Sequence, residues 1–168
     1  MSRFTNQFFS KLFQLDIVKR NWAKRYQGLS FNDTPWAALK KPLNESRFTF
    51  ITTAGVHLKS DQPFNMSDKD GDPTYRSFTF DSDPSDLMIT HDYYNHNDAD
   101  RDINVVLPLD ALQNCLDQKI IGSLSNSIYS FMGHIEGKNI KKMIRNSCRE
   151  LSQILLKDQI DVAIVSPA

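Results

Sequence analysis

Residues 139–168, "NIKKMIRNSCRELSQILLKDQIDVAIVSPA", decide the fold class. Ile140, Ile144, Cys148, Leu151 and Leu155 recur at spacings of three and four, so a helix over 139–157 would carry them on one apolar stripe. "IDVAIVSPA" then changes period. It is a short apolar run rich in β-branched residues and broken by Pro167, which reads as a final buried strand, central in its sheet or nearly so. A similar pairing occurs upstream. "INVVLP" (103–108), bounded by Asp102 and Pro108, reads as a strand covered on both faces. "LDALQNCLDQK" (109–119) reads as a helix with Leu109, Leu112, Cys115 and Leu116 inward. Asp110 falls in its first turn, where an acid suits the helix dipole. Helix and apolar strand, twice over, predict an α/β Rossmann-like layered fold with a mostly parallel sheet, one that stops short at its C-terminus.

Outside these blocks the elements are shorter. "RFTFITTAGVHL" predicts a strand from Arg47 to about Thr53, ending at Ala54-Gly55. Residues 59–73 are polar and loop-like, and "TYRSFTF" (74–80) and residues 87–90 read as short strands. "IIGSLSNSIYSFMGH" (120–134) reads as a Gly/Ser-rich loop with apolar inserts. Residues 4–26 predict an amphipathic helix with Phe8, Leu12, Leu15, Val18 and Trp22 on one face. "SFNDTPWAALKKPLNES" (30–46) predicts a turn-rich connector anchored by a buried Trp36. The chain thus divides into an N-terminal helix and connector, 1–45, and an α/β domain, 46–168, within one structural domain. It has no internal repeat and no low-complexity tract.

Composition narrows the function classes. The 168 residues suit a single core. Hydrophobic residues make up 40% and charged residues 24%, and 20 basic side chains balance 20 acidic ones. Nothing overall favours nucleic acid or an anionic membrane. Residues 1–25 are basic, which reads as a solvated helix face. Cys115 and Cys148 form no CxxC pair, so a disulfide framework is not expected and a reducing compartment is. No apolar run reaches the roughly 20 residues that span a bilayer, and no signal-peptide pattern is found. A cytoplasmic location is expected.

Three chemically loaded stretches follow predicted strands: "TTAGVH" (52–57), "THDYYNHNDADRD" (90–102) and "SPA" (166–168). Ligands of open α/β sheets bind beyond the carboxyl ends of the strands, so these stretches are expected to meet there. His91 and His96 are five apart, which is not the spacing of a zinc-binding helix. A loop can still bring them to His57, Asp98 or Asp100, a set suited to a metal ion or to proton transfer. The alternative is a polar loop whose aspartates cap turns and pair with Arg101. Arg101 itself either forks onto a carboxylate or phosphate, or serves an internal ion pair. The 122–134 stretch offers hydroxyls such as Ser130, or it is simply packed.

"TTAGVHLKSDQPFN", "DPTYRSF", "HDYYNHNDADRDINVVLPLDAL" and "IGSLSNSIYSFMGHI", with "PWAALKKPLNES" upstream, resemble in order and spacing the selenoprotein B family of the glycine, sarcosine, betaine and D-proline reductases. The resemblance covers roughly residues 20–168. It implies an oxidoreductase in which a selenocysteine or cysteine cleaves a carbon–nitrogen bond of an amino-acid-derived substrate, with a dithiol/disulfide couple as electron source. The implied partners are that substrate, a thioredoxin-like or other thiol reductant, and a second copy or second reductase subunit. His57, His91, His96, Asp98 and Asp100 are the expected catalytic groups, handling protons or a metal ion held at His57/His91/His96. Arg101, Thr53 and Ser130 are the expected substrate contacts. In the family the redox residue lies just beyond the strand matching "VAIVSP", where this sequence reads only Ala168. A selenocysteine codon read as stop, a split enzyme and a shortened relative each explain this. Two rival readings stand beside the reductase: a non-catalytic ligand-binding subunit lacking the redox residue, and a metal-dependent hydrolase built on the three histidines.

Overall fold

The sheet is organised around β1 (Arg47–Thr52), whose Phe48, Phe50, Thr49 and Thr52 are all buried. The computed structural model describes residues 36–167 and 15–25, with positions 8 and 12. On one side β1 runs parallel to β7 (Val162–Ser166) over five paired residues, from Phe48–Val162 to Thr52–Ser166. On the other it runs parallel to the short β5 (Ser123–Leu124) near its start and to β6 (Ser127–Phe131) near its end. β3 (Tyr75–Thr79) adds an antiparallel edge on β6. β2 (Val56–Leu58) and β4 (Leu87–Ile89) form a separate antiparallel pair. The helices are α1 (Asp16–Arg25), α2 (Leu109–Asp117), α3 (Gly137–Met143) and α4 (Arg149–Lys157). This is the α/β class with a mostly parallel sheet that the sequence predicts.

Each face of the main sheet buries its own apolar layer. Phe50 and Ile128 pack with Ala54, Val56, Phe78, Leu87, Ile89, Val106, Leu107 and Leu112, which brings the small β-pair and α2 onto one face. Tyr129 and Phe131 point the other way and pack with Leu151, Met143, Ile154 and Leu155 of the C-terminal helix. The alternation along β6 follows from the period of two in a strand. Fully burying a side chain such as Phe50 or Leu107 contributes about 1.5–3 kcal/mol. No helix among the described residues is long and apolar enough to cross a membrane.

Several expectations are corrected. "INVVLP" is not a strand: Ile103–Val105 is a 3-10 turn, and Val106 and Leu107 are buried in the core with Ile103 half-buried against it. Asp102 explains this, because its carboxylate accepts the Asn104 N–H at 3.0 Å and an Asn104 side-chain N–H at 3.1 Å. Such local side-chain bonds compete with a ladder. The 120–134 stretch is not a loop but contains β5 and β6. Its hydroxyls fit a tight interior: Ser125 Oγ lies 3.0 Å from Thr49 Oγ1, which donates to the Ser127 carbonyl at 2.9 Å. β7 is not central. It pairs with β1 alone among the described residues, and Val165 is 61% exposed. Trp36 is 86% exposed and anchors nothing in the core. Helix 139–157 begins at Gly137 and passes through a π turn at Ile144–Cys148, which leaves Ile144 half-exposed. Of the amphipathic helix expected over 4–26, Asp16–Arg25 is helical and buries no residue, and most of residues 1–14 lies outside the described part.

Candidate functional site

The carboxyl ends of β1, β6 and β7 open into a cavity of about 830 Å³ between the sheet and the C-terminal helix. Thr53 and Val165 line its sheet side, Met132 and Gly133 follow β6, and Glu136 and Cys148 belong to the helical side. The wall is predominantly apolar, with Ile51, Phe131, Ile140, Met143, Leu151 and Leu155 supplying most of it. Its place at the strand ends is the usual ligand position of an open α/β sheet. Thr53 is the one expected substrate contact that lies here. Burial pushes the Cys148 thiol above its ordinary value, so it stays protonated near neutral pH.

The histidines lie elsewhere. Gly55 (φ +71°) lets them gather, because a Cβ there would stand 2.6 Å from the Thr90 carbonyl oxygen and 3.1 Å from His91 Cβ. Gly71 (φ +78°) does the same for the loop at His134, whose carbonyl oxygen occupies the place of a Cβ. His134 stacks on Tyr93 with ring centroids 3.9 Å apart. His91 is 4% exposed, sits edge-on to Tyr94 at 4.7 Å, and accepts the Tyr93 backbone N–H at Nδ1 (3.1 Å). Burial, with His134 and His96 nearby, lowers its pKa to about 4. Burial, with the Asp100 carboxylate nearby, pushes the Tyr94 phenol well up, and its hydroxyl donates to the Ala54 carbonyl at 3.1 Å. His96 Nδ1 lies 2.8 Å from Asp100 Oδ2, an ion pair whenever the ring is protonated. His91 and His96 both line a second cavity of about 580 Å³, walled also by Phe64, Met66 and Met88. A third, of about 610 Å³, takes His96, Asp100 and Arg101.

The expected site residues therefore do not form one cluster. His57 is fully buried, and both ring nitrogens are occupied: Nδ1 lies 2.7 Å from the Leu58 carbonyl and Nε2 2.8 Å from Thr90 Oγ1. That withdraws it from a ligand set with His91 and His96. Among the described residues no three His, Cys, Asp or Glu side chains converge closely enough to hold a metal ion. Asp98 and Arg101 are exposed and face one another at 3.7 Å, which is the internal ion pair that the sequence offered as the alternative. Ser130 is buried on the face of β6 shared with Ile128, away from the strand-end cavity.

The glycine/sarcosine/betaine reductase selenoprotein B family model matches residues 20–168. The chain belongs to that family. Among curated proteins, the D-proline reductase subunit gamma of Acetoanaerobium sticklandii is 28% identical over 131 residues, covering 78% of this chain and 52% of that protein. The chain thus spans about half the length of that relative. No solved structure matches it.

For a selenoprotein B chain, the strand-end cavity is the feature that sequence reading underestimated. Glu136 and Cys148 line it, and neither stood out as a site residue by motif. The available signal was positional: "SFMGH" ends a strand in register with β1, but only once that stretch is recognised as a strand. His134 was likewise missed, because it lies on the turn between Gly133 and Ile135 with no partner nearby in sequence.

Proposed function

We infer that this selenoprotein B chain provides the substrate side of a thiol-driven reductase acting on a small amino-acid-derived molecule. The observation that carries the reading is the cavity at the carboxyl ends of three parallel strands, into which β7 points. In the family the redox residue follows the strand matching "VAIVSP". A selenol or thiol entering there would stand beside Val165 and Thr53, on a Rossmann-like frame. The chemistry then balances simply. A selenolate or thiolate attacks the carbon of the carbon–nitrogen bond, and the amine leaves with a proton. A second thiol completes the transfer, so two electrons and two protons turn a dithiol into a disulfide and the broken bond into C–H and N–H. The apolar wall would lower the polarity around this step. Thr53, together with Glu136 and Ser152, is a polar group of the wall that would orient the substrate.

One observation favours a binding subunit whose redox residue comes from another chain: Cys148, the thiol in the cavity wall, is kept protonated by burial. The test is to titrate the purified protein with D-proline, glycine, sarcosine and betaine while following amide resonances. Saturable movement of Thr53 and Gly133 by at least one of them supports the reading. No movement at the cavity with any of the four overturns it. Dithiol-driven turnover by the chain alone, surviving replacement of both Cys115 and Cys148, would overturn the requirement for a further selenol or thiol.

A further inference from the structure

The wall of the strand-end cavity is one-sided in charge. Among the described residues no Lys, Arg or His lines it, and Glu136 is its one carboxylate. That side chain is exposed and forms no cap to the helix that follows, nor any ion pair among the described residues. Cys148 adds no charge, because burial holds its thiol protonated near neutral pH. A second carboxylate stands just behind the wall. Asp70 Oδ2 lies 2.9 Å from where a Cβ of Gly137 would be, and Gly137 lines the cavity. Lys138 and Lys142 act on Asp68 and are not part of the wall. The one positive pole here is the start of α3 at Gly137. A helix end carries about half a charge, so a full carboxylate beside it leaves the balance negative.

Hydrogen-bonding capacity points the same way. A carboxylate only accepts. Ser152, further along the helical side, donates its single hydroxyl proton to the Arg149 carbonyl at 2.7 Å and keeps only acceptor capacity. The polar side chains of the helical side therefore ask for a donor. Ile140 and Met143, one and two turns beyond Glu136, ask for an apolar body next to it.

We propose that the strand-end cavity takes a protonated amine carried on an apolar body, with Glu136 as the residue that sets this preference. The inference rests on the reading of this cavity as the substrate site and adds the charge that the site selects. The ammonium N–H groups meet the Glu136 carboxylate, and the carbon skeleton lies toward Ile140 and Met143. An occupant that also carries a carboxylate keeps it toward the mouth, because the wall offers it no cation.

The test titrates the ¹⁵N-labelled full chain at pH 7.5 with three six-membered-ring probes of different charge: piperidine, which is protonated there, neutral tetrahydropyran, and cyclohexanecarboxylate. The Gly133 and Gly137 amide resonances are followed to about 100 mM, which reaches binding weaker than millimolar. Piperidine should bind at least fivefold more tightly than tetrahydropyran, and the carboxylate no better than tetrahydropyran. Raising NaCl from about 50 to about 500 mM should weaken piperidine alone. Glu136→Gln keeps the size of the side chain and should bring piperidine and tetrahydropyran within twofold of one another. A merely structural role would weaken both probes and keep their ratio, and that result overturns the assignment to Glu136. Should the variant not fold, the wild-type ranking and its salt dependence decide. Equal binding of piperidine and tetrahydropyran by the wild type, or tighter binding of the carboxylate, overturns the proposal while leaving the cavity a binding site. Static Gly133 and Gly137 amides with all three probes overturn it too, and count against the cavity as a binding site altogether.

Discussion

Lowering the pH from 7.5 to 5 should cost this protein about 2 kcal/mol through His91 alone. In the unfolded chain the imidazole titrates near 6.5, whereas burial, with His134 and His96 nearby, holds it at about 4 in the fold. Because the folded value is depressed, the unfolded state takes up the proton first and stability falls as pH falls. The contribution is absent above about pH 7.5, reaches about 2 kcal/mol at pH 5, and approaches about 3 kcal/mol near pH 4, where the 2.5-unit gap is nearly spent. The side chain is 4% exposed, so solvent screening does little to reduce this. The assay is urea unfolding at pH 7.5 and pH 5 for the wild type and for His91→Gln, whose amide oxygen can still accept the Tyr93 N–H. Stopping at pH 5 keeps most carboxylates out of the comparison. The wild type should lose about 2 kcal/mol more than the variant. Losses equal within about 0.5 kcal/mol would mean that His91 titrates like an exposed imidazole, and the buried histidine pocket would be wrong.

Three further outcomes are expected. Gly55→Ala forces a Cβ against the Thr90 carbonyl at φ +71° and should lower stability by about 1–3 kcal/mol in chemical denaturation. Leu107→Ala should cost about 2–5 kcal/mol, while Val105→Ala, two residues earlier and exposed, should stay within about 0.5 kcal/mol; a two-sided buried strand would penalise both. Cys148 should react with iodoacetamide more slowly than a free thiol at neutral pH and accelerate only above the ordinary thiol range, as followed by mass spectrometry.

Sequence periodicity located the elements whose packing is one-sided and long. The stripe from Ile140 to Leu155, apart from the exposed Ile144, and the strand at Arg47–Thr52 are both found, because each buries a face with its own repeat. It failed where hydrogen bonding outranks hydropathy. "INVVLP" is apolar throughout, but Asp102 and Asn104 close a turn before a ladder can start. "SNSIYSF" looks polar and loop-like, but Ser125 Oγ donates to the Ser127 carbonyl and Ser130 is buried in the sheet, so the central β6 was invisible to composition. The same cause scattered the expected site. His57 and His91 are close in sequence order to strand ends, but whether a ring nitrogen is free depends on Thr90, Leu58 and Tyr93, whose positions only the tertiary structure supplies. Trp36 and Val165 show the converse, since large apolar residues were assigned to the interior by type and stand outside it.

The π turn at Ile144–Cys148 separates two helical halves that are out of phase. One extra residue in the ladder offsets everything before it by about 100° around the axis, the step of a single residue. α3 and α4 both present side chains, Ile140, Met143, Leu151 and Leu155, to the same cavity across this offset. A relative lacking one residue here would carry an unbroken helix, with its first half rolled and the cavity reshaped. Small length differences at this point would then be a way for such proteins to change what they accommodate, with no substitution in the wall itself.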